Sequence, residues 1–192
     1  VVKDEDVVVV PGDISWALKL NEVYEDFKYI SELKGQKIIL KGNHDYWWTT
    51  KAKMERFIAE NGFDSIHILF NNHYEYGEEY AICGTRGWVY MAGEKHDDKI
   101  QAREAGRLEL SIKSALDAGR KPIVFLHYPP IYANNCNENI LSVLKKYNIE
   151  RCYYGHIHGR SGHQNAFQGE YDGTLYRMVS SDYLQFFPYR IL

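Results

Sequence analysis

The chain has 192 residues, 45% hydrophobic and 26% charged, a balance ordinary for one globular domain. Lys and Arg number 23 against 26 Asp and Glu, a net charge of −3, which excludes the basic footprint of a nucleic-acid or anionic-membrane binder. No apolar run approaches the roughly 20 residues of a bilayer span, and three scattered cysteines without C-x-x-C spacing exclude a disulfide framework and favour a reducing, cytoplasmic setting.

The chain opens at Val1 with no initiator Met or leader, so it reads as beginning within a domain. Residues 7–10 are four valines closed by Pro11-Gly12, a buried strand. Val23, Phe27, Ile30 and Leu33 then recur at helical spacing, and Gly35 supplies the stop. Residues 37–40 form a second apolar run, closed by Gly42-Asn43. Strand, helix and strand in this order make a right-handed crossover unit.

The pattern predicts a helix over 50–60, strands near 66–70 and 80–83, and a long helix over 99–118. A second crossover follows, with a strand at 123–126, a helix marked by Ile140, Leu141, Leu144 and Tyr147, and a strand at 151–154. The tail carries strand-like pieces around Gly169 and Gly173. No repeat or linker divides the chain, so residues 1–192 read as one domain of two mainly buried sheets flanked by helices.

Parallel strands place ligand-binding residues just past their C-terminal ends. Here those loops carry Asp13, then Gly42-Asn43-His44-Asp45, then His127, then Gly155-His156-Ile157-His158. Imidazole and carboxylate together suit a pair of divalent cations and leave room for water. Asp13, the acidic side chain of the first turn, is the natural bridge between two ions, with Asn43 adding a neutral oxygen. His156 and His158, two apart on an extended segment, fall on one side and can serve different ions. Arg86 and Arg160 are further candidates, since guanidinium suits bidentate recognition of an anionic group.

Gly12-Asp13, Gly42-Asn43-His44-Asp45, the lone His127 and Gly155-His156-Ile157-His158 stand in the order of a known signature. With stretches such as 11–18, 82–88, 127–130 and 180–184, the chain resembles the calcineurin-like metallophosphoesterases, and among them bacterial predicted phosphohydrolases. The resemblance implies a four-layer α-β-β-α fold, an α/β two-sheet sandwich flanked by helices. It also implies hydrolysis of a phosphomonoester or phosphodiester by a hydroxide bridging two divalent ions, Mn, Fe, Zn or Ni. His44 would assist the leaving group, and Asp45 would hold its imidazole. One ion would take Asp13, Asn43, His127 and His156, and the other Asp13 and His158. The family's D-x-H element does not occur in the chain, so the domain is expected to be incomplete at its N-terminus, without its first strand. The second ion is then expected to be weak or absent, since catalytic sites usually supply three protein ligands.

The expected partner is a small phosphorylated substrate, with no membrane. A nuclease shares the chemistry, but the acidic charge argues against it. A catalytically silent scaffold is the alternative that the missing D-x-H motivates. Singly, such residues are ordinary: Trp47 and Trp48 read as core or rim packing more readily than as a platform beside Tyr46. The cysteines read as buried apolar groups, His67, His73 and His96 as surface or strand-face residues, and the charges of 95–109 as a solvated helix face.

Overall fold

The structure, a computed structural model, describes residues 2–88 and 98–192. Its first sheet is built from β1 (Val7–Val10), β2 (Gln36–Ile39) and β3 (Ile66–Ile68), all parallel and in that order. A 3₁₀ turn at Leu20–Val23 runs into α1 (Tyr24–Glu32), and α2 (Lys51–Glu60) joins β2 to β3. Gly35, at φ +82°, lets the chain leave α1 and re-enter the sheet where a Cβ would press on the Asp6 carbonyl oxygen.

The second sheet takes β4 (Tyr74–Tyr76), β5 (Tyr80–Thr85), β6 (Lys121–Leu126), β9 (Arg151–Tyr154), β10 (Gly169–Tyr171) and β11 (Thr174–Met178). Their order is β10-β11-β9-β6-β5-β4, parallel through the middle and antiparallel at both ends. Helix α3 (Asp98–Asp117) links β5 to β6, and α4 (Glu138–Lys146) links β6 to β9 beyond the small β7 (Ile131–Tyr132) and β8 (Asn135–Cys136) hairpin. Asn137 caps α4, its side-chain oxygen accepting from the Ile140 N–H at 3.0 Å, a contact worth about 1 kcal/mol.

Alternation along each strand sorts the side chains into layers. Ile39 and Val10 join Phe27 of α1 and Met54 of α2 in one core. Ile38, Leu40, Ile82, Ile123, Phe125 and Tyr153 fill the space between the sheets. Cys83, Val124, Leu126, Cys152 and Tyr154 meet Leu108 and Ile112 of α3 and Ile140 and Leu144 of α4 on the far side. The result is the expected helix–sheet–sheet–helix sandwich. Phe27 is fully buried and meets Trp47 edge-on at 5.3 Å, and such a side chain contributes about 1.5–3 kcal/mol by leaving water.

Several expectations change. β1 is only half-buried, because among the described residues it pairs with β2 alone and lies at the sheet's rim. β3 ends at Ile68 instead of residue 70, since the Phe70 N–H turns to the Asn72 side-chain oxygen at 2.6 Å. The helix face at 98–109 is not wholly solvated: Gln101 is buried and Glu104 fully so, facing Thr85. Cys136 is exposed, whereas Cys83 and Cys152 are buried as expected. His67 bonds Gln36 across the first sheet and His73 meets Ser114, while His96 and residues 95–97 lie outside the described residues. No helix among the described residues is long and apolar enough to cross a membrane.

Candidate metal centre

The C-terminal ends of β1, β2, β6 and β9 converge, and close backbone approach is the first sign of it. A Cβ on Gly12 would lie 2.5 Å from His127 Nδ1 and 2.7 Å from the Gly42 Cα, and a Cβ on Gly42 would lie 2.1 Å from Asp13 Oδ1. The two glycines therefore let the first two loops nest against each other. Asp13 and His156 themselves adopt positive φ, +56° and +69°. Each such placement costs on the order of 1–3 kcal/mol and persists where the surroundings over-determine it.

Asp45 fastens the loops together. Fully buried, it accepts through Oδ2 from the N–H groups of Gly42 (2.7 Å) and Asp13 (2.9 Å). Through Oδ1 it accepts from Ile14 (2.8 Å), Ser15 (3.1 Å) and the Trp47 indole (3.0 Å). Its expected role toward the His44 imidazole is therefore corrected: five N–H donors occupy the carboxylate, and none belongs to His44. The ring of His44 is held by Trp16, stacked on it at 4.2 Å, while its Nδ1 is buried with no hydrogen-bond partner among the described residues. Trp47 sits in the core, and Tyr46 and Trp16 are exposed.

His127 Nδ1 lies 2.8 Å from the Pro11 carbonyl oxygen, so the tautomer with its proton there donates to that carbonyl and leaves Nε2 bare. Nε2 lies 2.7 Å from Asn43 Oδ1, 3.1 Å from His156 Nδ1 and 3.6 Å from Asp13 Oδ2. Burial, opposed in part by Asp13, pushes His127 below its usual range. Burial and then the neighbouring His127 push His156 down to about 3. Both rings are thus neutral near pH 7. A proton on His156 Nδ1 satisfies one of these contacts and leaves the Asn43 oxygen acceptor-to-acceptor against His127. Among the described residues, the Asp13, His127 and His156 ligand atoms all lie within 4.8 Å of one another. Mixed N and O donors of this kind fit a divalent first-row ion.

Between an unfolded value of 6.5 and about 3, the unfolded chain binds a proton at His156 that the folded chain refuses, so stability is present above this window and is lost as pH falls through it. Thermal melts of chelator-treated protein should show the melting temperature declining from pH 6.5 downward.

His158 stands apart from this group. The left-handed φ of His156 interrupts the extended run from which the sequence placed both histidines on one side. His158 Nδ1 instead lies 2.9 Å from Asp182 Oδ1, and the Gly159 N–H donates to Asp182 Oδ2 at 2.8 Å. Burial alone would raise the Asp182 carboxyl, but the Gly159 and His158 contacts hold it down at about 2. Asp182 had no role in the sequence reading, and only its place in the 180–184 stretch pointed toward it. Arg86 is mostly buried, 3.7 Å from Glu104 and over the Trp88 ring at 5.1 Å. Arg160 is exposed in the first turn of α5 (Gly159–Asn165).

A family model described as calcineurin-like phosphoesterase matches residues 1–160. No curated protein matches the chain. One solved crystal structure superposes with a TM-score of 0.55 at 16% identity, covering 89% of this chain and 78% of that one, a likeness of fold alone.

Proposed function

From the premise that the chain belongs to the calcineurin-like phosphoesterase family, we propose that it hydrolyses a small phosphomonoester or phosphodiester with the help of divalent cations. One observation carries the reading: Asp13, Asn43, His127 and His156 bring their donor atoms together at the ends of four strands. These four would hold one ion, of Mn, Fe, Zn or Ni type, and His158 would serve a second on exchanging Asp182 for it. Such an ion, when bound, polarises a phosphoryl oxygen and brings the pKa of water toward neutrality.

The protein's own groups do the rest. Asp13 contributes the negative charge of the set, and the Pro11 carbonyl fixes which nitrogen of His127 faces it. His44 lies outside the donor group, its backbone N–H donating to Asp13 Oδ1 at 2.9 Å and its ring clamped by Trp16. From there it protonates the leaving-group oxygen. A side-chain nucleophile is not needed, so no phosphoenzyme is expected.

Hydrolysis of nitrophenyl phosphate and bis-nitrophenyl phosphate with added Mn²⁺ tests the reading, and absence of turnover with every divalent ion overturns it. His44→Ala should keep its metal by elemental analysis while kcat falls by about 10²–10⁴. Loss of metal in that variant would instead place His44 among the ligands.

A further inference from the structure

Beside the metal loops, at the ends of β2, β3 and β5, lies a cavity of about 360 Å³ whose wall includes Lys41, Trp48, Thr85, Arg86, Glu104 and Arg107. Three cations thus face one carboxylate, and that carboxylate is already committed. Glu104 accepts from Arg107 at 2.8 Å through Oε1 and from the Thr85 hydroxyl at 2.8 Å through Oε2. Arg103 adds a further cation 3.5 Å from the same Oε1. Two donors of the wall, Arg86 Nε and Trp48 Nε1, are buried without a hydrogen-bond partner among the described residues.

Buried donors without acceptors are costly, and clustered like charges raise the cost. An oxyanion in the cavity offsets the clustered positive charge. The space exceeds what one such group fills and lies in the range of small-molecule pockets. The wall is also continuous with the metal centre: Lys41 directly precedes Gly42, and the Arg86 carbonyl accepts from the N–H groups of His127 at 3.1 Å and Tyr128 at 2.9 Å.

We propose that this cavity is an anion subsite that receives a second phosphate or carboxylate group of the substrate, so that the preferred substrates are phosphoesters with two anionic groups. The proposal rests on the hydrolase reading for its placement of the scissile phosphoryl at the metal centre. The anion site itself is measurable without turnover.

Chelator-treated protein is titrated calorimetrically with inorganic phosphate and, separately, malonate at fixed ionic strength. One saturable site is expected, weakened about tenfold or more in Lys41→Met, the weight of one charge-assisted hydrogen bond. Binding should persist in Lys41→Arg and in Asp13→Asn. Tighter binding of phosphate assigns the second group as phosphoryl, and tighter binding of malonate assigns it as carboxylate. Absence of a saturable site, unchanged affinity in a folded Lys41→Met protein, or loss of binding in Asp13→Asn overturns the proposal. With metal restored, Lys41→Met should raise KM for 1,3-propanediol bisphosphate at least tenfold more than for nitrophenyl phosphate, and an equal rise in both overturns the substrate assignment. A protein that binds the anion and hydrolyses nothing would sink only the hydrolase reading.

Discussion

Asp13→Asn should weaken metal binding and cut turnover together. Asn keeps the shape of the side chain, tolerates the φ of +56° as well as Asp does, and still offers an oxygen to the His44 N–H. What it removes is the anionic charge beside His127 Nε2 at 3.6 Å. The remaining donors, two neutral imidazoles and the Asn43 amide, then carry no charge to set against a dication. Affinity should fall by about 100-fold or more, beyond the effect of groups that only support ligands, and nitrophenyl phosphate turnover should fall with it. Calorimetric metal titration with a parallel activity assay reads both. Retained metal and activity would show that the cation sits elsewhere.

Asp45→Ala should damage the fold itself. Five N–H groups, four of them backbone donors from the two nested loops, lose their acceptor at once. Removing one partner from a buried charged network costs about 3–5 kcal/mol, a fall in melting temperature of roughly 6–20 °C for a chain of this size. Metal affinity should drop as well, since the Asp13 and Gly42 backbones are what Asp45 positions. Asp45→Asn should fall between, because its amide keeps one acceptor and turns an NH₂ toward donors. Scanning calorimetry decides the matter: an unchanged melting temperature with impaired turnover would return Asp45 to the role of orienting the His44 ring.

The strands that carry the site were legible because each is an apolar run closed by turn residues, and the layers followed from strict alternation, as at Ile38, Ile39 and Leu40. The donors were legible because they fall directly after those runs. Asp45 was misread for a local reason. Adjacency to His44 suggested a shared task, but the turn closed by the Tyr46 N–H on the His44 carbonyl sends the carboxylate inward to the other loop. The break in the extended run at His156 is a single backbone angle that residue types do not reveal. Asp182 reaches His158 across 24 residues, a distance over which no periodicity speaks. Helix α5, Gly-Arg-Ser-Gly-His-Gln-Asn, buries none of its residues and so carries no apolar face to detect. Glu104 reads as a surface charge by type and is buried only because Thr85 and Arg107 meet it.

The rim position of β1 bears on how Asp13 is held. Among the described residues the strand is laddered on one side alone, so the turn that follows draws its order from Asp45, which accepts from the N–H groups of Asp13, Ile14 and Ser15, rather than from a second neighbouring strand.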